Sequence, residues 1–445
     1  MGHRGGFWGW IYVGAAALVA PGLAHATQPP APGVEMDPET RERLGEINRA
    51  SVLHGLLPKV RAAAGARAAE AQGRKVAPGT KAVAGTTAVP VILVKYANTP
   101  ADPYPNADLQ TELFDGPWAT GTMADFYDEI SYGNLDVTGT VFDWAQLAQD
   151  DTYYEGGCNG LCVGAPVEQL IIEAVGGLDG SVDFGQFDND GPDGVPNSGD
   201  DDGFVDFAAF VHPEAGGECG NSNIWSHRYS LTGQGVLFGY QTNDPRPGGG
   251  FVRVDDYTIQ PAYACNGVTM IEIGIFCHEF GHAFGLPDMY DTDNSSEGDG
   301  HWALMASGNW NRPTSPGHMM AYSKVSLGWI TPTVVSTPQV GVAVPNVEQN
   351  PFALKIPFGA PVGAGQYYLV ENRARIGFDQ WAKAEGLAIW HVDEGKQSLA
   401  LVNAVNTQEC IDGPVSGACG GNHFLVALEQ ADGDFDLERN LNRSD

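Results

Sequence analysis

The sequence predicts a mixed α/β (α+β) module, preceded by a helical region and followed by a β-rich one. Three patterns lead there. Between residues 86 and 333, strand-like runs alternate with helix-like ones. Upstream, RERLGEINRASVLHGLLPKVRAAAGARAAEAQ is Ala- and Leu-rich with helical spacing. From about residue 334 the text changes to short strands and turns, as in GQYYLVENR, GLAIWHVDE and HFLVALEQ.

The elements follow in order. Arg4 precedes the apolar run FWGWIYVGAAALVAPGLA, and Ala24-His25-Ala26 forms an A-x-A site, so residues 1–26 read as an export signal. Pro21 and the glycines argue against a retained membrane anchor. No later run is long and apolar enough to span a bilayer, and no Cys near the cleavage site could take a lipid. Residues 27–85 read as a propeptide: a Pro-rich lead, the helical stretch, then the basic linker GRKVAPGTKAVAGTT, with Arg67, Arg74 and Lys75 as processing sites. In the central module, VPVILVKYA and FVDFAAFVHP read as buried strands. MADFYDEISYG and APVEQLIIEAV read as helices, NLDVTGTVFDW as a strand, and VLFGYQ with FVRVDDYTI as a hairpin. This module is set at 86–333 and the β-rich region at 334–445, the latter expected to be incomplete at its C-terminal end.

Charge narrows the partners. The chain of 445 residues holds 23 Lys+Arg against 55 Asp+Glu, a net of -32, and the deficit lies after residue 85. Such a surface repels nucleic acid and anionic membranes, so neither is expected to bind stably. Seven cysteines suit an oxidising compartment. Cys158–Cys162 and Cys410–Cys419 are the close pairs, Cys219 and Cys265 can bridge two loops, and Cys277 is left as a packing residue.

The chemistry concentrates in CHEFGHAFGLPDMYD, residues 277–291. Residues four apart share a helix face, so His278 and His282 can point at one metal ion. Glu279 lies about 100° round the helix, beside the metal rather than on it, where a general base belongs. Gly285 can end the helix and Pro287 discourages its continuation, so the chain can return Asp288 as a third ligand, with Asp291 as the alternative. Three protein ligands leave a position open, the catalytic arrangement for zinc. Glu279 would take a proton from water and pass it to the leaving amine.

HExxHxxGxxD resembles the metzincin pattern, with Asp in the place of a third His. HWALMASGNW resembles a Met-turn, which implies Met305 as an apolar floor under the metal. YDEISYGNLDVTGTVFDW, FVDFAAFVHPEAGGE, NIWSHRYSL, FCHEFGHAFGLPDMYDTD, YSKVSLGWI and GLAIWHVDE together resemble the immune inhibitor A family of secreted bacterial metallopeptidases. The resemblance implies a zincin/metzincin-like catalytic domain in a secreted zinc endopeptidase. It also implies a zymogen with a propeptide, calcium sites and a β-rich C-terminal domain. The weighed alternatives are a zinc hydrolase of another substrate class and a calcium-binding, non-catalytic pseudopeptidase.

Three weaker signals remain. FDNDGPDGVPNSGDDDGFVD sets Asp188, Asp190, Asp200, Asp202 and Asp206 among glycines, a set of hard oxygens suited to Ca2+. His391, Tyr290 and Tyr322 are candidates, by chemistry alone, for stabilising the transition state. The propeptide holds no Cys, so latency would rest on a carboxylate such as Glu35 or Asp37, or on steric cover.

Overall fold

The structure, a computed structural model, describes residues 26–36, 38–40, 83–162, 165–292, 296–358, 365–396 and 424–444. Residues 1–25 of the expected export signal, the helical stretch of the expected propeptide and its processing sites, and the pair Cys410–Cys419 lie outside these residues.

A six-stranded sheet organises the protein. Its strands are β1 (Ala26–Thr27), β2 (Gly85–Lys95), β3 (Leu135–Gln146), β4 (Ala208–Ala215), β5 (His227–Ser230) and β8 (Asp256–Tyr263), in the order β1-β5-β8-β4-β2-β3. Strands β3, β2, β4 and β8 are parallel, β5 runs antiparallel to β8, and β1 runs antiparallel to β5. The apolar run read from VPVILVKYA has both faces covered, as a central parallel strand requires. Val89, Val91 and Leu93 of β2 face one core, and Ile92 and Val94 face another.

The helices named here are α1 (Met123–Ser131), α2 (Val167–Leu178), α3 (Ile273–Ala283) and α4 (Ala321–Ser326). Helices α1 and α3 fill the first core through Phe126, Tyr127, Phe276 and Phe280, while Leu170, Ile171 and Val175 of α2 fill the second. Thr122 and Asp125 form a capping box that starts α1, and the Tyr127 hydroxyl donates to the Cys277 carbonyl of α3 at 2.6 Å. Cys277 itself is a buried free thiol.

The expected hairpin takes a different form. β6 (Tyr240–Pro245) pairs with β7 (Phe251–Val254), but the run FVRVDDYTI breaks at Asp255 and its second half becomes β8 of the large sheet. Asp255 receives the Leu231 N–H on its carbonyl and the Thr232 N–H on its side chain, and so anchors the corner between the two sheets.

A second sheet, β13-β12-β11-β10-β9, is built from β9 (Thr333–Val334), β10 (Leu354–Pro357), β11 (Gln366–Arg373), β12 (Gly386–Asp393) and β13 (Val426–Leu428). Its inner residues Leu369, Trp390, Val392 and Val426 belong to the same apolar cluster as α1 and α3. The β-rich region therefore shares a core with the α/β module instead of closing a separate one. A buried ionic cluster reinforces the junction. Arg373 donates to Asp379 at 2.7 Å, to Glu371 at 3.3 Å and to the Trp302 carbonyl at 3.1 Å. Asp379 also accepts the His318 N–H at 3.0 Å, and His318 Nε2 contacts Glu129 of α1 at 2.8 Å.

Removing one partner of a buried ion cluster leaves uncompensated charge, at a cost of about 3–5 kcal/mol. Arg373→Ala is expected to lower the free energy of unfolding by that amount, read from denaturant titration of the intact chain.

Candidate metal centre

Helix α3 crosses the core with every residue from Ile273 to His282 buried. His278 and His282 lie one turn apart with ring centroids 4.7 Å from each other. After Ala283 the helix stops where Gly285 takes φ +99, a left-handed conformation that side chains disfavour, and the Leu286 N–H closes back onto the Gly281 carbonyl. Asp288 then returns to the histidines. Its Oδ1 is 3.2 Å from His278 Nε2 and 3.0 Å from His282 Nε2, and the two Nε2 atoms are 3.1 Å apart.

The protonation of these rings follows from their outer contacts. His278 Nδ1 lies 2.9 Å from the Leu304 carbonyl and His282 Nδ1 lies 2.8 Å from the Leu286 carbonyl. A carbonyl only accepts, so both Nδ1 atoms carry the proton and both Nε2 lone pairs face inward. Burial pushes the His278 pKa down and keeps it neutral. Two lone pairs and a carboxylate thus converge in a dry pocket with no donor between them. A divalent cation with nitrogen and oxygen preferences resolves that arrangement, and zinc fits the donor set.

Glu279 is fully buried beside this triad, and among the described residues neither carboxylate oxygen has a hydrogen-bond partner. Burial, then Asp288 and Glu218, push its pKa well above the usual carboxylate range. It is a carboxyl group ready to hold a proton. Asp291 is not part of the triad; it accepts the Ser296 N–H at 2.7 Å.

The turn 303–308 closes under the histidines. Leu304 supplies the carbonyl that orients His278, and the Met305 carbonyl accepts the Met289 N–H at 2.7 Å, which ties this turn to the Asp288 loop. Met305 is fully buried against Gly281, where an added Cβ would lie 2.4 Å from its Sδ.

A peptide segment already lies in the cleft. β1 pairs with the free edge of β5, with Ala26 opposite Arg228 and Thr27 opposite His227. The Thr27 carbonyl is 3.3 Å from His278 Nε2 and accepts the Tyr290 hydroxyl at 2.9 Å, and the Thr27 N–H is 3.3 Å from Asp288 Oδ2. Further along, Gln28 N–H donates to Ser226 O, Trp225 Nε1 donates to Gln28 O, Trp310 Nε1 to Pro29 O, and Ala31 N–H to Glu218 O. The structure thus brings Tyr290 to the centre. It does not bring the other two candidates. His391 sits on β12 against Phe358 and Tyr368, and Tyr322 sits on α4 in the fields of Glu394 and Tyr367. Glu35 is exposed and Asp37 lies outside the described residues; among the described residues it is Thr27 that lies beside the histidines.

In the acidic loop, Asp188, Asp190 and Asp201 bring carboxylate oxygens within 4.8 Å of one another. Asp201 was not among the residues singled out by spacing. Asp188 is buried with both oxygens unpartnered among the described residues, and burial together with Asp202, Asp201, Asp190 and Asp206 raises its pKa to about 8. Asp200 engages Ser198, Asp202 accepts the Phe204 N–H, and Asp206 accepts the Asn189 N–H. The disulfides Cys158–Cys162 and Cys219–Cys265 form as spacing suggested.

A parallel sheet bordered by an antiparallel edge strand, with a dry histidine helix beneath that edge, defines a metallopeptidase-type catalytic module. Residues 110–331 match the family model described as immune inhibitor A peptidase M6, catalytic domain. The chain is 31% identical over 228 residues to the pre-pro-metalloprotease PrtV of Vibrio cholerae serotype O1, covering 47% of this chain and 24% of that protein. It is 32% identical over 205 residues to immune inhibitor A of Bacillus thuringiensis subsp. alesti, covering 42% of this chain and 28% of that one. The chain thus spans about a quarter of the length of these relatives.

Gly281→Ala is expected to destabilise the protein by about 1–3 kcal/mol through overpacking against Met305, more than the roughly 1 kcal/mol that Ala gains over Gly in a helix. In a Met305→Ala background the same change should stop being destabilising. Urea unfolding of the four proteins reads the cycle.

Proposed function

We propose that this chain is a zinc-dependent endopeptidase, exported and made as a zymogen, that hydrolyses peptide bonds in proteins. The observation that carries it is the segment at residues 26–31. An extended peptide lies antiparallel on edge strand β5, gripped through its main chain, with one carbonyl presented to both His278 and Tyr290. Main-chain capture by a sheet edge selects extended polypeptide over other acyl substrates.

His278, His282 and Asp288 would hold the zinc. When bound, zinc supplies a Lewis acid for the scissile carbonyl and lowers the pKa of water at the site. Glu279 takes the proton from the attacking water and later delivers it to the departing amine. Its empty, buried position supports this role, since a nearby dication would offset the burial that now favours its protonated form. The Tyr290 hydroxyl donates to the carbonyl oxygen of the bound peptide and stabilises charge as it develops there. β5 and Trp225 hold the chain in register.

Residues 27–31 of this segment would account for latency. Cleavage of the export signal after Ala26 would leave Thr27 as the first residue, lodged where substrate must bind. Activation then requires its release. Calcium would be held by Asp188, Asp190 and Asp201, and so would brace the loop that precedes β4.

Casein cleavage and zinc content test the reading together. Glu279→Ala is expected to retain about one zinc and lose several orders of magnitude in rate, while His278→Ala loses both. Tyr290→Phe should lower kcat by about 10- to 1000-fold with zinc retained. Release of residues 27–85 should raise the activity of the wild type. A wild type that binds zinc but stays inert after that release would overturn the proposal in favour of a non-catalytic binding role.

A further inference from the structure

Away from both the histidine helix and the loop at 188–206, three carboxylates meet behind the rim of the cleft. Asp151 and Glu155 lie one helical turn apart on the short helix Asp151–Glu155, and Glu214 comes from the end of β4. One oxygen of each lies within 4.8 Å of the others. Glu155 is only 5% exposed, yet it meets no cation and no side-chain donor among the described residues. Glu214 Oε2 is likewise buried and unpartnered.

A second observation is independent of these acids. Tyr96, the residue after β2, is 1% exposed, and its hydroxyl has no hydrogen-bond partner among the described residues. Its ring stacks on Tyr154, between Asp151 and Glu155 in sequence, at 5.8 Å. After burial itself, the groups that act most strongly on this hydroxyl are Glu214, Glu155 and Asp151, in that order. A buried, unpartnered hydroxyl therefore lies in the field of three crowded carboxylates, with no ion pair to any of the three among the described residues.

We infer that Asp151, Glu155, Glu214 and Tyr96 form a second, separate site for a hard divalent cation, calcium by chemistry. The donors are all oxygen, with no nitrogen or sulfur to favour zinc. Oxygens spread up to 4.8 Å apart suit a sphere with Ca–O distances of about 2.4 Å better than the tighter Mg2+ octahedron. Asp151 and Glu214 are partly exposed, which leaves a path for the ion and for water ligands.

The position gives the ion a task. The Glu155 carbonyl accepts the N–H groups of Cys158 and Gly160 at the start of the disulfide loop. In that loop, the Asn159 carbonyl accepts the Trp225 N–H, and its side chain donates to the carbonyls of Asn221 and Asn223. Glu214 leads into Gly216–Glu218, and the Glu218 carbonyl holds the Ala31 N–H. An ion joining Asp151 and Glu155 to Glu214 would clamp the two segments that form the cleft wall.

The test uses the full, zinc-saturated chain carrying Asp188→Asn, which silences the other acidic loop. With terbium as probe, this protein should bind one ion with tyrosine-sensitised emission, and calcium should compete with it and raise Tm. Adding Glu155→Gln and Glu214→Gln should abolish both signals. Those two changes relieve carboxylate repulsion, so the ion-free variant should melt no lower than its Asp188→Asn parent. Tyr96→Phe, which keeps all three acids, should weaken the emission and the affinity. Emission and calcium response unchanged by Glu155→Gln and Glu214→Gln would overturn the inference, as would a parent that binds no terbium.

Discussion

Three lone-pair donors face each other at 3.0–3.2 Å in a pocket closed to water, and the rest of the protein is arranged to keep them there. Left alone, the Nε2 atoms of His278 and His282 and the Oδ1 of Asp288 would repel, rotate or seek water. The fold denies each option. Carbonyls from Leu304 and Leu286 fix the outer ring nitrogens, and Gly285 and Pro287 turn the chain so that Asp288 returns. The Met289–Met305 backbone bond joins the loop of one ligand to the turn that orients another. That turn is secured in its turn by Arg373, whose guanidinium reaches the Trp302 carbonyl from the second sheet. A β-rich region remote in sequence thereby helps to set the geometry of a helix near the middle of the chain.

The edge of the large sheet supplies the other half of the chemistry. An exposed strand edge offers a ladder of unpaired N–H and C=O groups, which is usually an aggregation hazard. Here residues 26–31 cover the edge of β5, which the proposed function uses as a peptide-binding rail. Trp225 and Trp310 add indole donors that read only main-chain carbonyls, so the rail grips backbone whatever the side chains are. In the proposed function, a segment that satisfies the same groups as a substrate would block the site without a special inhibitory side chain, so latency would need no cysteine in residues 27–85.

The strongly acidic composition has local consequences. Carboxylates at Asp188–Asp201 and at Asp151–Glu214 are brought together, and burial raises Asp188 to about 8 and Glu155 and Glu214 to about 7. Burying like charges is costly unless protons or cations accompany them. The junction of the two sheets solves the same problem differently, with Arg373 set among Glu348, Glu371 and Asp379.

Much was legible in the sequence by itself. Period-2 and period-3.6 patterns placed β2, β3, β4, α1, α2 and, in the second sheet, β11, β12 and β13, because apolar spacing reflects which faces are covered. His278, Glu279, His282 and Asp288 were readable because helical geometry and one glycine stop make their convergence a local matter. Other features came only with the tertiary structure. Thr27 lies 251 residues from His278, and nothing in ATQPPA marks it as a strand until β5 offers an edge. Tyr290, Tyr322 and His391 looked alike as hydroxyl or imidazole groups; packing decided that only Tyr290 meets the bound carbonyl. Asp201 and the group of Asp151, Glu155 and Glu214 were hidden for the same reason, since spacing along the chain cannot tell which carboxylates a fold will press together. Residues within about one turn of each other are tied by backbone geometry, whereas those brought from distant segments depend on how the sheets and cores close.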